Sequence, residues 1–312
     1  MAENRLAALD LGTNSLIMLV VEVHSLTDIR QLHVAAALTR IGYRIQQTGA
    51  LNQSAARRTT AAVMRFKTLA RRLDAERIIA CATSALRDAR DGTEYLAVLS
   101  ARSGIAFRLI SGEEEARLTA LALSQTFADR SPQLFGLDIG GGSTEISVSE
   151  RGVIRELHSL DIGAVRFSER YIHHDPPHDD EVESVIQAVE EKLPRLAGLE
   201  TDFTAVACGG TMDTLQKINL QIPFDRYNQV EATDMHRNAL NDITGHLLRS
   251  TLAERRVIMG MEPQRADIIP AGALIARTIM EYYHIPQLLI TEKGIRWGMV
   301  YDYLRSRQSA GK

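Results

Sequence analysis

Short apolar runs and longer stretches with helical spacing follow one another along the chain. Arg77–Ala82 and Thr204–Ala207 are short and mostly apolar, which predicts buried strands. From Ser54 to Leu73, apolar residues recur at helical spacing behind a residue suited to a helix N-cap, which predicts an amphipathic helix. Because strand and helix patterns alternate throughout, the sequence predicts a mixed α/β sheet fold.

The same patterns predict the remaining elements. In the first half they are a strand at Gln31–Thr39, a turn-rich segment at Gly42–Asn52, a helix at Glu94–Ser103 and a strand at Phe107–Ile110. In the second half, helices are predicted at Val165–Tyr171, Glu181–Leu193, Ala232–Leu248, Leu252–Met259, Arg265–Tyr283 and Trp297–Arg307, and a last strand at Gln287–Thr291. Ser111 is followed three residues later by Glu114, a capping-box pattern that predicts one more helix start.

One hairpin pattern occurs twice, as ALDLGTNSLIMLVVEV near the start and GLDIGGGSTEISVSE in mid-chain. Each copy has an apolar strand, an acidic residue, a turn of small residues and a second strand. When the copies are aligned, Asp10 falls on Asp138, Gly12 on Gly140 and Ser15 on Ser143. The repeat predicts an internal duplication, with one unit at residues 1–128 and another at 129–312. A C-terminal helix at about residues 298–312 is expected to pack back on the first unit.

The two turns suit the binding of phosphate. Backbone N–H groups in a turn of small residues can converge on an anion. The neighbouring carboxylate would repel a bare phosphate, which favours a divalent cation between them. Three consecutive glycines, Gly140–Gly142, exceed what a two-residue hairpin needs and favour close approach of a ligand. The alternatives are a plain hairpin turn and an aspartate that caps its own turn.

Composition narrows the class of protein. With 312 residues, 45% hydrophobic and 24% charged, the chain can form two cores of an ordinary globular protein. Cys81 and Cys208 have no metal-ligand spacing and are expected to be buried thiols in a reducing compartment. No segment has the pattern of a membrane span or signal peptide, so a cytoplasmic location without a membrane partner is expected. The net charge of −3 argues against DNA as a partner.

Several stretches together resemble the exopolyphosphatase/guanosine pentaphosphatase (Ppx/GppA) family. They are DLGTNS (10–15), ATSALRDA (82–89), ISGEEEARL (110–118), DIGGGSTE (138–145), LDIGAVRFSERY (160–171), GGT (209–211) and RADIIPAGALI (265–275). The resemblance covers nearly the whole chain and corresponds to the short form of the family. It implies two actin-like, ribonuclease-H-like domains, each a mixed sheet flanked by helices, with the active site in the interdomain cleft.

The resemblance also implies an activity. Family members hydrolyse the terminal phosphate of a phosphoanhydride, in either inorganic polyphosphate or the alarmone pppGpp, and use Mg²⁺ or another divalent cation. Exopolyphosphatase is the expected function, and pppGpp phosphohydrolase is the alternative. A phosphotransferase and a non-catalytic alarmone sensor are further alternatives. The oligomeric state is open, and a homodimer is one option.

Three carboxylates match the family's catalytic positions. The resemblance implies that Glu115 orients and deprotonates the attacking water, and that Asp138 and Glu145 lie near the metal and the water or phosphate. Asp10 is a second expected magnesium partner. A structural alternative for Glu113, Glu114 and Glu115 is that they favour the helix N-terminus electrostatically. Because Ile17 stands where Glu145 aligns, the two hairpins are expected to differ, with the chemistry at the second.

Other residues are expected to hold the substrate. The expected phosphate ligands are Asp10, Thr13, Asn14, Ser15, Arg87, Gly140, Gly141, Gly142, Ser143 and Thr144. Arg87 matches the family's phosphate-binding arginine, and its planar guanidinium suits a doubly contacted phosphate. Gly209, Gly210 and Thr211 match a segment that contacts a nucleoside in the wider superfamily, although a tight turn between strand and helix explains them equally well.

The chain departs from the family pattern at two places. The usual GEG after the third strand reads Gly42-Tyr43-Arg44, and the usual C-terminal REG reads Arg296-Trp297-Gly298. Both departures lie outside the expected catalytic set. They are therefore expected to affect specificity or domain contacts more than the chemistry.

Overall fold

The computed structural model describes residues 4–127, 129–200, 202–226 and 229–310. Its strands are β1 (Arg5–Leu11), β2 (Ser15–Val23), β3 (Ile29–Leu38), β4 (Arg77–Ala82), β5 (Phe107–Leu109), β6 (Gln133–Ile139), β7 (Thr144–Glu150), β8 (Val153–Leu160), β9 (Thr204–Cys208), β10 (Thr233–His236) and β11 (Gln287–Ile290). Its helices are α1 (Ile45–Thr48), α2 (Gln53–Arg72), α3 (Ser84–Asp88), α4 (Gly92–Ser103), α5 (Gly112–Phe127), α6 (Ala164–Tyr171), α7 (Asp179–Glu190), α8 (Gly209–Leu220), α9 (Arg237–Arg249), α10 (Leu252–Arg255), α11 (Ile269–Tyr282) and α12 (Ile295–Ala310). None of the helices described there is long and apolar enough to cross a membrane.

The chain divides into two compact units. The first takes the chain up to Ala122 and again from Ile295, and the second is Leu123–Gly294. The sequence predicted the boundary between the units at Ala128, which lies outside the described residues. The observed boundary falls within α5, between Ala122 and Leu123. Helix α12 belongs to the first unit, and the last two residues of the predicted 298–312 segment also lie outside the described residues.

Each unit contains one mixed sheet, and the two sheets have the same plan. The strand order is β3-β2-β1-β4-β5 in the first unit and β10-β11-β9-β6-β7-β8 in the second. In each, the repeated hairpin pairs antiparallel with a third strand on one side, whereas parallel strands lie on the other. The second sheet has one extra strand, β10, at its edge. The predicted duplication and mixed sheets flanked by helices are confirmed.

Alternation along the central strands sends side chains to two different cores. In β1, Leu9 packs among residues of α2 and α4, whereas Ala8 packs among residues of α5 and α12. In β6, Leu137 joins the core with α8 and α11, whereas Leu134 packs with residues of α5 and β9. Because side chains alternate along a strand, Asp10 shares its face with Ala8, and Asp138 shares its face with Leu134.

The structure corrects three predicted helices. The predicted helix Ala232–Leu248 begins only at Arg237, because Thr233–His236 pair with β11 as an edge strand. The predicted helix Leu252–Met259 ends at Arg255; beyond it Ile258 packs against the core, but Val257 is 83% exposed and Met259 55%, so these apolar residues do not share one buried helical face. The predicted helix Arg265–Tyr283 begins at Ile269, with a proline in its first turn, where the missing N–H costs no hydrogen bond.

Helix α12 lies directly against the backbone of α5. A Cβ added at Gly298 would lie 1.9 Å from the carbonyl oxygen of Leu118. Arg117 of α5 donates to Asp302 of α12 at 2.9 Å and makes two hydrogen bonds to Glu114, at 2.9 and 3.1 Å. The hydrogen bond from Arg117 lowers the pKa of Glu114. This network braces the first turn of α5.

Replacing Gly298 by alanine is therefore expected to destabilise the protein by about 1–3 kcal/mol, the usual cost of overpacking. Gly245→Ala in α9 is the matched control, because the nearest atoms to its added Cβ are the flexible end of Arg249, at 3.2 Å. Alanine in an open helical position stabilises by up to about 1 kcal/mol. Urea unfolding of both variants measures the difference, and equal stabilities would contradict the close helix contact.

Candidate active site

The two repeated hairpins close with the same hydrogen bond. Gly12 N donates to Ser15 O at 3.0 Å, and Gly140 N donates to Ser143 O at 2.9 Å. In the first hairpin Asp10 pairs across the strands with Ile17, and in the second Asp138 pairs with Glu145. The turns therefore share a backbone design, and the second hairpin alone carries a carboxylate on both strands at this position.

Asp138 and Glu145 lie side by side on one face of the second sheet. Residues directly opposite each other on antiparallel strands have Cβ atoms about 5 Å apart. Glu145 is only 3% exposed. Ser159, opposite Glu145 on β8, donates its hydroxyl to Glu145 Oε1 at 2.9 Å. The sequence did not point to Ser159, although it adds a fixed donor to one carboxylate of the pair.

Glycines make room for the Asp138 carboxylate. Gly209 has φ +91°, and a Cβ there would lie 2.2 Å from Asp138 Oδ1. A Cβ at Gly294 would lie 3.6 Å from Asp138 Oδ2 and 3.2 Å from the sulfur of Cys208. At Gly210, a Cβ would lie 2.7 Å from the guanidinium of Arg265. Gly209 is thus required by its backbone conformation and by Asp138, whereas Gly210 faces the flexible end of Arg265. Gly294, packed beside Cys208 and Asp138, is a site residue that sequence reasoning missed.

Residues at the start of α6 are hydrogen-bonded to the second turn. Ala164 N donates to Gly140 O at 3.0 Å, Val165 N to Gly141 O at 2.8 Å, and Arg166 Nε to Gly142 O at 2.7 Å. These bonds occupy the carbonyl groups of all three glycines. The turn is therefore held on its carbonyl side by α6.

Two of the predicted phosphate donors are already engaged. The N–H of Gly140 closes the turn, and the hydroxyl of Thr144 donates to Ile162 O at 2.8 Å. Among the hydrogen bonds of the described residues, the backbone N–H groups of Gly141, Gly142 and Ser143 donate to none. These three are the turn donors that can meet an anion.

Glu115 and Arg87, both in the first unit, form an ion pair. Glu115 lies in the first turn of α5, where Ser111 Oγ accepts from the N–H of Glu114 at 3.1 Å. Arg87, at the end of α3, donates from Nη1 to Glu115 Oε2 at 2.9 Å and to Ile110 O at 3.0 Å. Both side chains are largely buried. The pair fixes the orientation of the carboxylate.

The two cysteines occupy equivalent places beside the loop aspartates. Cys81 is the parallel-strand partner of Asp10, and Cys208 is that of Asp138. Both are buried free thiols, as predicted. Burial first, and then the charges of Asp10 and Glu115, raise the pKa of Cys81 well above its ordinary value. A thiol kept neutral in this way is a packing residue and a poor nucleophile.

The first turn contains a buried polar side chain with no partner. Asn14 is 4% exposed, and neither its Oδ1 nor its Nδ2 is hydrogen-bonded among the described residues. Leaving such groups unsatisfied costs about 1–3 kcal/mol each. A phosphate oxygen could accept from Nδ2, and a water or cation could bind Oδ1. The first turn is therefore chemically suited to a ligand.

The described residues contain no group of three or more His, Cys, Asp or Glu side chains placed to hold a metal. Magnesium does not need one, because it usually binds one or two carboxylates and completes its shell with waters and substrate phosphates. The adjacent carboxylates of Asp138 and Glu145 supply such a donor set. The residues present therefore fit this cation.

Sequence comparison identifies the family. The chain matches the model of the Ppx/GppA phosphatase family over residues 17–307 and therefore belongs to it. It is 32% identical over 314 residues to Exopolyphosphatase 2 of Mycobacterium tuberculosis, covering 96% of this chain and 98% of that protein. It is 28% identical over 309 residues to Exopolyphosphatase 1 of Mycobacterium bovis, covering 97% and 89%.

Solved structures agree with the fold. The Aquifex aeolicus PPX-GPPA enzyme is 25% identical with a TM-score of 0.79, over 96% of this chain and 99% of that one. An exopolyphosphatase from Cytophaga hutchinsonii is 22% identical with a TM-score of 0.88, over 97% and 98%. The predicted fold of two actin-like domains and the predicted class of enzyme, a phosphoanhydride hydrolase of this family, are confirmed.

Ser159 offers a test of the second hairpin. Ser159→Ala removes the hydroxyl that holds Glu145, and is expected to lower kcat for phosphate release about tenfold, or about 1.4 kcal/mol. KM should change little, because Ser159 holds a carboxylate and not the substrate. Ser159→Thr keeps a hydroxyl and should retain most of the rate. An unchanged kcat in the alanine variant would show that the hydrogen bond has no part in activity.

Proposed function

We propose that this protein is an exopolyphosphatase, which releases the terminal phosphate of inorganic polyphosphate by attack of water. The observation that carries the proposal is the ion pair of Arg87 and Glu115, because it joins a phosphate-binding cation to a carboxylate base at 2.9 Å. The exopolyphosphatase names of relatives that match nearly the whole chain support the same substrate.

The surroundings of Gly209 and Gly210 favour polyphosphate over pppGpp as the substrate. Gly209 makes room for Asp138, and Gly210 makes room for Arg265. Gly209 is thus explained by its positive φ and by Asp138, without contact to a nucleoside, and Gly210 already has the guanidinium of Arg265 as its neighbour. Thr211 is 3% exposed, and its methyl group lies against Gly272 of α11, which gives it a packing role as well.

In the proposed reaction, Glu115 accepts a proton from water while the water oxygen bonds to the terminal phosphorus. The bond between that phosphorus and the bridging oxygen breaks, and its electron pair leaves with the shortened chain. Such reactions depend on positioning and charge stabilisation more than on covalent chemistry of the protein. Arg87 orients Glu115 before binding and then also offers N–H donors to the terminal phosphate.

The turns hold the substrate in this proposal. The free N–H groups of Gly141, Gly142 and Ser143 donate to phosphate oxygens, as does the amide of Asn14. Thr13, Ser15 and Asp10 complete the first turn's contacts. Asp138 and Glu145 would hold Mg²⁺, and Asp10 is the further metal partner that the family resemblance implies. When bound, the cation neutralises negative charge on the phosphate oxygens.

The test compares four substrates with purified protein: long polyphosphate, tripolyphosphate, pppGpp and ATP. We expect phosphate release to be fastest from polyphosphate. Glu115→Gln keeps the size and the hydrogen bond to Arg87 but cannot act as a base, so its kcat should fall by about 10²–10⁴ with KM nearly unchanged. Release from pppGpp alone would assign the alternative function. Equal rates in the variant would exclude Glu115 as the base.

A metal titration tests the proposed cation. Chelation should abolish activity, and Mg²⁺ should restore it. Asp138→Asn removes one charge from the carboxylate pair and should raise the Mg²⁺ concentration for half-maximal rate at least about tenfold, since metal affinity depends on charged oxygen ligands. Asp234→Asn, at an exposed position of β10, is the control and should behave as wild type. A variant at Asp138 with an unchanged Mg²⁺ requirement would contradict the assignment.

A further inference from the structure

The turn after β3 is attached to the first phosphate turn. Arg40 N donates to Asn14 O at 2.8 Å, and Gly42 N donates to Thr13 O at 2.9 Å. A Cβ at Gly42 would lie 2.2 Å from the methyl carbon of Thr13, so only glycine permits this approach. Ile41 is fully buried in the first unit's core and anchors the segment. Any residue displayed here is held beside the phosphate turn.

We call the segment Arg40–Arg44 the cationic turn. Its two arginines lie around the ring of Tyr43. The guanidinium carbon of Arg40 lies 5.4 Å from the centre of the Tyr43 ring, and that of Arg44 lies 5.1 Å from it. Attraction between the face of an aromatic ring and a guanidinium fixes where the cation lies and leaves its positive charge in place. Arg58 of α2 adds a third guanidinium, donating to Thr39 O at 3.2 Å.

The backbone of the cationic turn is strained. Arg40 has φ +51° and Arg44 has φ +61°, in the left-handed region that non-glycine residues rarely adopt. Such conformations persist where the surrounding structure enforces them and are concentrated at binding sites. The two hydrogen bonds to the phosphate turn and the buried Ile41 provide this enforcement.

Buried polar groups beside the cationic turn are also unsatisfied. Thr39, the residue before it, is 2% exposed, and its hydroxyl has no hydrogen-bond partner among the described residues. Asn14, whose backbone carbonyl accepts from Arg40 N, also has a side-chain amide without a hydrogen-bond partner among the described residues. Two unpartnered polar groups next to concentrated positive charge fit a polar, anionic ligand, which would supply the missing partners.

We infer that the cationic turn, with Thr39 and Arg58, is a subsite for inner phosphates of a polyphosphate chain, next to Asn14 of the first phosphate turn. The inference rests on the proposed function, and it assigns chain-length preference to residues outside the catalytic set. Tyr43 and Arg44 stand where the family's usual GEG has glutamate and glycine. The ring and the second guanidinium of the subsite are therefore absent from the family's usual pattern. Short substrates such as tripolyphosphate are expected not to reach it.

The test measures kcat and KM for long polyphosphate and for tripolyphosphate. Arg44→Gln should raise the KM for long polyphosphate about tenfold, the loss of one charge-assisted contact, and leave kcat and the values for tripolyphosphate within about twofold. Arg72→Gln is the matched control, because it removes the same charge from an exposed position of the same unit, at the end of α2. It should affect neither substrate.

Thr39→Val separates binding from structure. Valine has nearly the same shape and no hydroxyl, so it removes an unsatisfied buried group and should leave the melting temperature equal or higher. The KM for long polyphosphate should nevertheless rise, which a merely structural role of Thr39 does not predict. An unchanged long-chain KM in both Arg44→Gln and Thr39→Val would overturn the inference. So would equal effects on the short substrate, or an equal effect of Arg72→Gln.

Calorimetric binding of long polyphosphate to the Glu115→Gln protein distinguishes the two proposals. Adding Arg44→Gln in that background should weaken binding about tenfold. If wild type releases no phosphate from polyphosphate but the two dissociation constants differ, the proposed function fails and the subsite stands. If wild type is active and the constants are equal, the subsite fails and the function stands.

Discussion

A carboxylate pair held at the end of a buried hairpin is the constraint on which the rest of the second unit depends. Two like charges on one sheet face are costly unless hydrogen bonds or cations compensate for them. The backbone is shaped around this pair: Gly209 leaves space for Asp138, and Ser159 donates to Glu145. The start of α6 ties back the carbonyl groups of the adjoining turn. The glycines and hydroxyls of this region follow from the need to keep two acids together.

The first unit solves a related problem with different residues. Its hairpin repeats the turn and the aspartate, but an isoleucine stands opposite, so it has one carboxylate where the second unit has two. Its other acid comes from a helix: α5 contributes Glu115, which Arg87 orients and α12 braces through Arg117. Duplication thus kept the scaffold, down to a buried cysteine beside each aspartate, while the functional side chains diverged.

Local patterns predicted most of the fold, and long-range pairing decided what they missed. The hairpins were predictable because their apolar alternation and turn residues are contiguous. Ser159 was not, since the pairing of β7 with β8 shifts register between Val148 and Ser149 of β7, and counting back from the turn without the shift places His158 opposite Glu145. Gly294 reaches Asp138 from far along the chain. Strand β10 has only four residues, too few for alternation to compete with a helical pattern.

The C-terminal position of α12 has a consequence for how the chain is made. The core between β1 and α5 is completed by Trp297, Val300 and Tyr301, which emerge from the ribosome only after the entire second unit. That second unit is contiguous and can close its own cores as soon as it has been synthesised. Domains generally fold as units during synthesis, so the first unit's half-covered sheet must wait, with its apolar face exposed. The part of this protein that is translated first is the part that is finished last.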